Sequence, residues 1–219
     1  MNGCAITVAG ANLMALGSGA LWWPQERILT VSDLHLGKSE RIARRGGAML
    51  PPFDTEETLR RLEAEIDALD PDQVICLGDS FDDLLAADAI AQEARPRLAI
   101  LQAGRDWVWV EGNHDPGPVD FGGTHLREVH HGPLTFRHIA EQATGEVSGH
   151  YHPKARIVLR GRPIVRSCFV FDEHRLILPA FGTYTGGLWT SHAAISGLVG
   201  KGAQVVLTGK VATRLPMPR

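Results

Sequence analysis

Short apolar runs of strand length recur along the whole chain and predict a fold rich in β-structure. The runs that combine apolar, β-branched and aromatic residues are Ala5–Val8, Ile28–Val31, Val74–Leu77, Trp107–Val110, Leu134–Phe136, Ile157–Leu159, Cys168–Phe171, Leu176–Leu178 and Val205–Leu207. The glycine-punctuated residues 1–25, which contain the first run, predict two or three short strands joined by turns.

Two longer stretches among the first strands have helical spacing. In Asp54–Leu69 the apolar positions at this spacing are Leu59, Leu62, Ile66 and Leu69. Asp54, followed three residues later by Glu57, predicts an N-cap and a capping box. A second helix is expected from Asp83 to Gln102, with a kink or break at Pro96.

The order of these elements predicts an α/β sandwich. Strands that alternate with helices in the first half indicate a sheet with parallel pairs, and the second half, richer in glycine and short strands, predicts hairpins in a second sheet. No repeat or linker divides the chain, so we expect one domain over residues 1–219. Its 44% hydrophobic and 21% charged residues are typical of a globular protein.

Charge and cysteine content narrow the class of protein. The formal net charge of −3 gives no global attraction to a polyanion, so such a partner would need a local basic patch. Three scattered cysteines are too few for a disulfide framework and indicate a reducing compartment. Residues 1–25 contain no Lys or Arg, and no apolar run reaches membrane-spanning length. We therefore expect a cytoplasmic protein without a membrane partner.

Polar side chains with ligand chemistry follow four of the predicted strands and the short run Glu146-Val147-Ser148. The segments at these strand ends are Ser32-Asp33-Leu34-His35, Gly78-Asp79, Gly112-Asn113-His114-Asp115, Arg137-His138 and Gly149-His150-Tyr151-His152. Open α/β sheets place ligand sites at the carboxyl ends of their strands. Carboxylate, amide and imidazole together suit manganese, iron or zinc, whereas a structural zinc site would include cysteine. The ordered set predicts a metal centre.

The alternation within two of these segments predicts pairs of ligands. Extended backbone points residues two apart in the same direction. Asp33 with His35, and His150 with His152, can therefore each converge on one centre. Taken alone such pairs are weak evidence, because two neighbouring histidines are often simply solvated.

The order of the motifs over residues 33–152 resembles the calcineurin-like metallophosphoesterase superfamily. The resemblance implies a sandwich of two mixed β-sheets flanked by helices, in agreement with the pattern described above. It also implies hydrolysis of phosphate esters with two divalent cations, Mn²⁺ first and iron or zinc as alternatives, which lower the pKa of a shared water.

The resemblance further implies a role for each matched residue. One cation would be held by Asp33, His35 and His152, and the other by Asn113, His138 and His150. Asp79 would bridge both cations. His114 would stabilise charge on the scissile phosphate or protonate the leaving oxygen, and Asp115 would orient His114.

One of the histidine ligands has a second candidate. His131 stands directly before Gly132, and many members of the superfamily place this ligand in a His-Gly pair. However, His131 precedes the predicted strand Leu134–Phe136, whereas His138 follows it. The position after the strand favours His138, and His131 remains the alternative.

A further set of segments looks like the bacterial ligase-associated DNA-damage-response endonucleases of the PdeM type. These segments are Trp23-Pro24, Asp33-Leu34-His35-Leu36-Gly37-Lys38, Gly149-His150-Tyr151-His152-Pro153 and residues 179–187. This resemblance covers nearly the whole chain. It implies a manganese-dependent endonuclease for single-stranded DNA that acts in repair with a DNA ligase and a helicase.

A basic segment after the first motif is a candidate DNA contact. Its cations are Lys38, Arg41, Arg44 and Arg45. They would contact phosphates that flank the scissile bond, and a solvated helix face is an equally good interpretation. Tyr151, Phe181 and Tyr184 are candidates for base stacking, although core packing explains such aromatics more often.

Two other functions are compatible with the motifs. The first is a phosphomonoesterase or a small-molecule phosphodiesterase that acts on a nucleotide or a lipid pyrophosphate. The second is a non-catalytic scaffold with this fold. Scaffolds of this kind are expected to lose ligands or the catalytic histidine, whereas this chain retains the full set, including His114.

Overall fold

Two packed β-sheets form the centre of the protein. The computed structural model describes residues 2–47, 50–159 and 161–218. The first sheet has seven strands in chain order: β1 (Gly3–Val8), β2 (Ala11–Leu16), β3 (Leu21–Trp23), β4 (Ile28–Val31), β5 (Gln73–Leu77), β6 (Asp106–Val110) and β7 (Thr124–Leu126). Strands β1 to β4 form an antiparallel meander, and β4 to β7 are parallel.

The second sheet has eight strands from the second half of the chain. They are β8 (Glu128–His131), β9 (Leu134–Arg137), β10 (Glu146–Ser148), β11 (Lys154–Leu159), β12 (Arg162–Phe171), β13 (Arg175–Ile177), β14 (Gln204–Leu207) and β15 (Thr213–Pro216). Their spatial order is β15-β14-β12-β13-β10-β9-β8, and β11 pairs with β12 outside this path. Strand β10 runs parallel to both β9 and β13, which the expected series of hairpins did not include.

Helices cover the outer faces of the sandwich. They are α1 (Lys38–Arg44), α2 (Asp54–Leu69), α3 (Leu84–Gln102) and the short α4 (Ala193–Ser196). Leu62 of α2, Leu98 of α3 and Trp109 of β6 belong to one buried cluster, and Phe136 and Phe169 belong to a second one. The predicted α/β sandwich of two mixed sheets is confirmed. No helix in the described ranges is long and apolar enough to cross a bilayer.

The capping box predicted at the start of α2 is wrong. The N-cap position is occupied by Phe53, and Asp54 is the first residue of the helix. The buried Asp54 carboxylate instead accepts hydrogen bonds from the backbone amide of Ser39, at 3.1 Å, and from the Ser39 hydroxyl. Glu57 forms an ion pair with Arg60 at 2.8 Å. The carboxylate of Asp54 is therefore committed to holding α1 against α2.

The break expected at Pro96 is absent. Helix α3 begins after Asp83, whose side chain caps the amide of Ala86 at 2.7 Å, and it continues through Pro96 to Gln102. Proline removes one helical hydrogen bond. The burial of Ala94 and Leu98 on either side of the proline offsets that loss, because these side chains pack into the core beneath the helix.

Replacement of Asp54 tests the link between α1 and α2. Asp54→Ala should lower the free energy of unfolding by about 1–3 kcal/mol, because the buried amide and hydroxyl of Ser39 lose their acceptor. Urea denaturation measures this loss. Glu57→Ala is the control and should leave stability unchanged, since the partly exposed pair with Arg60 contributes little. An equal loss in both variants would restore the capping-box interpretation.

Candidate metal centre

Strand ends from both sheets meet at one edge of the sandwich. The residues after the parallel strands β4, β5 and β6 of the first sheet are Asp33, Asp79 and Asn113. In the second sheet, His138 follows β9 and His150 follows the parallel strand β10. Backbone hydrogen bonds join the loops, from Asp33 N to Gly78 O at 3.1 Å and from Gly149 N to His138 O at 3.0 Å.

Asp33, His35 and His152 form the first cluster of ligand atoms. His152 Nε2 lies 3.0 Å from Asp33 Oδ1 and 3.4 Å from His35 Nε2. Asp33 and His35 are buried, and the Ser32 hydroxyl donates a hydrogen bond to Asp33 Oδ2 at 2.6 Å. One carboxylate oxygen and two imidazole nitrogens therefore share a common space.

Asp79, His138 and His150 form the second cluster, and Asn113 adjoins it. His138 Nε2 lies 3.3 Å from Asp79 Oδ2, 3.3 Å from His150 Nδ1 and 3.1 Å from Asn113 Oδ1. The other ring nitrogen, His138 Nδ1, donates to the carbonyl of Leu77 at 3.1 Å. This bond leaves Nε2 as the nitrogen that can bind a metal.

The two clusters are direct neighbours. The backbone amide of His150 in the second cluster donates to Asp33 Oδ2 in the first, at 3.1 Å. Asp79 Oδ1 accepts a hydrogen bond from the His114 amide at 2.8 Å, while Asp79 Oδ2 faces His138. The geometry thus groups the ligand types as two adjacent triads, with Asp79 in the second one.

The donor set fits divalent cations. Two pairs of imidazole nitrogens face each other, His35 with His152 at 3.4 Å and His138 with His150 at 3.3 Å. Lone pairs at this separation repel unless a proton or a cation lies between them. Buried carboxylates stand beside both pairs, and mixed imidazole and oxygen donors suit manganese, iron and zinc.

The field of the buried carboxylates also favours positive charge at this place. Burial opposes protonation of His138, but its hydrogen bond to Asp79 and the charges of Asp33 and Asp79 raise its pKa to about 9. Burial opposes ionisation of Asp79, but the hydrogen bond from His138 lowers the pKa of Asp79 to about 2. Without a metal, a proton on His138 compensates the carboxylates.

Left-handed backbone, and not extended backbone, positions most of these side chains. Positive φ values between 45° and 68° occur at Asp33, His35, Asp79, His150 and His152. His150 and His152 belong to different clusters, as the resemblance implied, so this pair does not converge on one cluster as its spacing alone would allow. Each such non-glycine conformation costs about 1–3 kcal/mol, and strain of this kind is typical of functional sites.

The structure separates the two candidates for the second-cluster histidine. His138 is buried among the ligand atoms. His131 lies in β8, where its Nε2 contacts a Glu26 carboxylate oxygen at 2.7 Å and its ring packs edge-on against Trp23. The geometry therefore favours His138.

Asp82 is a site residue that the sequence analysis missed. Its fully buried carboxylate lies 2.8 Å from His35 Nδ1, and its backbone carbonyl accepts a hydrogen bond from His114 Nδ1 at 2.8 Å. Asp82 thus orients one candidate ligand and the candidate catalytic histidine. Its position three residues after Asp79, just before α3, was the signal available in the sequence.

The role expected for Asp115 needs correction, because Asp115 does not orient His114. Its buried carboxylate accepts hydrogen bonds from four backbone amides, at distances of 2.7 to 3.1 Å. The donors are the amides of Asp79, Ser80, Phe81 and Gly112. Asp115 therefore fixes the loop that carries Asp79, and the carbonyl of Asp82 orients the His114 ring.

The cations of α1 are compensated by carboxylates at the start of α3. Lys38 and Arg41 contact Asp82 at 3.1 and 2.9 Å, and Arg44 and Arg45 contact Asp83 at 2.8 and 3.5 Å. The segment is therefore neither a set of free cations nor a purely solvated helix face.

Asp82 with His35 and His114 could form a third metal group. The two cations already on Asp82 make it a poor metal ligand.

The fold and this centre define a class of protein, and the comparisons agree with it. Residues 26–196 match the model of the calcineurin-like phosphoesterase family, so the chain belongs to that family. It is a metal-dependent hydrolase of phosphate esters, and the resemblance noted from the motifs is confirmed.

A solved structure extends the likeness over the whole chain. The crystal structure of the nuclease MPE of Pseudomonas putida is similar, with a TM-score of 0.76 and 32% sequence identity. The similarity covers 98% of this chain and 100% of that one. None of the curated proteins gives a significant match.

Replacement of Gly78 tests the close approach of the β5 loop to His138. Gly78 has a φ of 75°, and a Cβ atom at this position would overlap the His138 ring. Gly78→Ala should lower the rate of metal-dependent hydrolysis of a small phosphodiester by about a hundredfold, since it displaces a ligand by roughly 1 Å.

Gly104→Ala is the matched control for this substitution. Gly104 has nearly the same φ, 74°, but a Cβ atom there meets no other atom within 4 Å. The control carries the same backbone strain and should keep its activity. Equal losses in the two variants would show that backbone strain, and not the contact with His138, causes the effect.

Metal content distinguishes the two histidines. His138→Ala should reduce bound Mn²⁺ by about one ion per chain after equilibrium dialysis and should abolish hydrolysis, because it removes a buried ligand. His131→Ala should retain both the bound Mn²⁺ and the hydrolytic activity. Loss of metal from the His131 variant, with normal content in the His138 variant, would contradict the assignment.

Proposed function

We propose that this protein is a manganese-dependent endonuclease that cleaves single-stranded DNA. The observation that carries the proposal is the 32% identity to the nuclease MPE over 98% of the chain. This chain also retains the full set of metal-ligand candidates, which supports catalysis by the same kind of metal centre.

In this proposal the two clusters hold the two cations. Asp33, His35 and His152 would hold one, Asn113, His138 and His150 would hold the other, and Asp79 would contribute to both. When bound, the cations lower the pKa of a water molecule and neutralise phosphate oxygens. The chain's contribution is rigidity, because hydrogen bonds from neighbouring groups fix the orientation of each ligand.

His114 is the proposed proton donor for the leaving oxygen. Its Nδ1 donates to the carbonyl of Asp82, so Nε2 is the nitrogen that remains for the substrate. The His35 ring stands edge-on to it, with the ring centroids 5.2 Å apart, and limits its rotation. Protonated imidazole carries a hydrogen on both ring nitrogens, so Nε2 can donate while Nδ1 holds the Asp82 carbonyl.

An open cavity beside the second cluster provides access for a phosphate ester. Its volume is about 390 Å³, and its lining includes Asn113, His138, Arg127 and Arg137. The lining also contains Glu111, Glu128 and Glu141, and Arg137 pairs with Glu128 at 2.8 Å, so a phosphate here would depend on the bound cations for positive charge.

A cellular setting in DNA repair forms part of the proposal. The likeness to the ligase-associated endonucleases supports a functional association with a DNA ligase and a helicase. Three scattered cysteines, all free, support a reducing cytoplasm.

Circular single-stranded DNA tests the proposed activity directly. Incubation with Mn²⁺ should convert closed circles to linear fragments, since an endonuclease needs no free end, and a chelator should stop the reaction. His114→Ala should slow cleavage by about a hundredfold or more yet keep its metal. Hydrolysis of a small diester with intact circles would instead indicate a small-molecule phosphodiesterase.

A further inference from the structure

A two-stranded extension leaves the metal centre directly after His152. Strand β11 begins at Lys154 and pairs with the outer half of β12, residues 162–167. The inner half of β12, Cys168–Phe171, pairs with β14 in the sheet. We call residues 154–159 and 162–167 the cationic hairpin.

The hairpin carries cations without nearby carboxylates. The sequence from Val147 to Phe171 contains no Asp or Glu. The described cations of the hairpin are Lys154, Arg156, Arg162 and Arg166, and none of them forms an ion pair with any described residue. The cations of α1, in contrast, all contact carboxylates. In a chain of net charge −3, the hairpin is therefore a local positive surface.

One face of the hairpin combines this charge with an aromatic ring. The register pairs Lys154 with Ser167 and Arg156 with Val165, so Lys154 and Arg156 share a face. The backbone of Lys154 forms an isolated parallel β-bridge with Trp189, and the Lys154 ammonium lies 4.6 Å from the centre of the Trp189 ring. Trp189 is 41% exposed, which is unusual for so large an apolar side chain.

The same face is continuous with the metal centre. Gly182 donates a backbone hydrogen bond to Asp33 O at 3.1 Å, and Leu188 donates one to Tyr151 O at 3.2 Å. Between them, Gly187 packs so closely on the His152 carbonyl that a Cβ atom would overlap it. The segment 182–189 therefore crosses the first cluster and ends at Trp189 beside the hairpin.

We propose that the cationic hairpin and Trp189 bind the nucleic-acid strand on one side of the scissile phosphate. Lys154 and Arg156 contact backbone phosphates, and a base stacks on the exposed part of Trp189. The inference rests on the proposed nuclease function and names the surface that engages the substrate.

Charge complementarity and geometry select a single strand as the occupant. Proteins that bind single strands combine a basic track with aromatic platforms. The six residues of β11 span about 20 Å at roughly 3.3 Å per residue, which is long enough to follow several phosphates. Hydrogen bonds to base edges are not required, so this surface tolerates any sequence.

The double variant Lys154→Ala/Arg156→Ala tests the charge contacts. Binding of a fluorescent oligothymidine of about 20 nucleotides is measured by anisotropy with a chelator present, which excludes cleavage and metal contacts. Kd should rise about tenfold at low salt. The slope of log K against log salt should become shallower by about 1.4, or about 0.7 for each lost phosphate contact.

Trp189→Ala separates stacking from charge. Kd should rise about fivefold or more, as expected for loss of one base-stacking contact, while the salt slope stays unchanged. Metal content and turnover of a small phosphodiester, which is too short to reach the hairpin, report that each variant is folded.

Two control variants address net charge and the alternative surface. Arg60→Ala/Arg95→Ala removes two exposed cations that pair with Glu57 and Asp120. It changes the net charge by the same amount as the hairpin variant, but away from the hairpin. Arg44→Ala/Arg45→Ala removes two paired cations, the last residue of α1 and the residue directly after it. Both should bind the oligonucleotide within about twofold of the wild type, because neither removes an uncompensated phosphate contact.

The outcomes separate this inference from the proposed function. Binding by the hairpin variant equal to that of the Arg60/Arg95 control would overturn the inference, even if the wild type cleaves DNA. The inference would also be overturned if the hairpin variants bound DNA normally but lost binding to vesicles that contain phosphatidylserine, because the hairpin would then bind a membrane surface instead. Hairpin-dependent binding without any cleavage in Mn²⁺ would overturn the nuclease function and leave the binding surface in place.

Discussion

The attraction between buried carboxylates of one sheet and imidazoles of the other is the interaction on which this protein depends. Asp33 and Asp79 extend from the first sheet, and their partners His152 and His138 extend from the second. Two anions buried so close together require compensating positive charge. The same requirement makes the junction a candidate metal site, so the sheet interface and the candidate metal centre are one feature.

Rigid loops make this arrangement possible. The strained, left-handed residues at the strand ends are held by contacts with their own neighbourhood, as Asp115 shows by binding four backbone amides around Asp79. Asp82 links the ring of His35 to that of His114. Because these bonds exist before any substrate arrives, the centre is preorganised and its groups need little movement during the reaction.

Compensation of charge distinguishes the two basic parts of the chain. The cations of α1 are held by Asp82 and Asp83, so their main effect is to fix α1 beside the centre. The described cations of the hairpin form no ion pair within the described structure, and Arg156, Arg162 and Arg166 are exposed. A chain with a negative net charge can therefore present a positive path to its centre.

The sequence by itself determined the strands, the long helices and the identity of most site residues, because apolar periodicity is local and ligand types at strand ends are visible in the chain. The resemblance already placed His150 and His152 at different cations, and the tertiary structure supplied the left-handed backbone and the contacts that bring each cluster together. The tertiary structure also assigned Asp54 to Ser39, Asp115 to the loop of Asp79, and Asp82 to the two histidines. These outcomes depend on backbone handedness and on contacts between residues far apart in sequence, which no local pattern records.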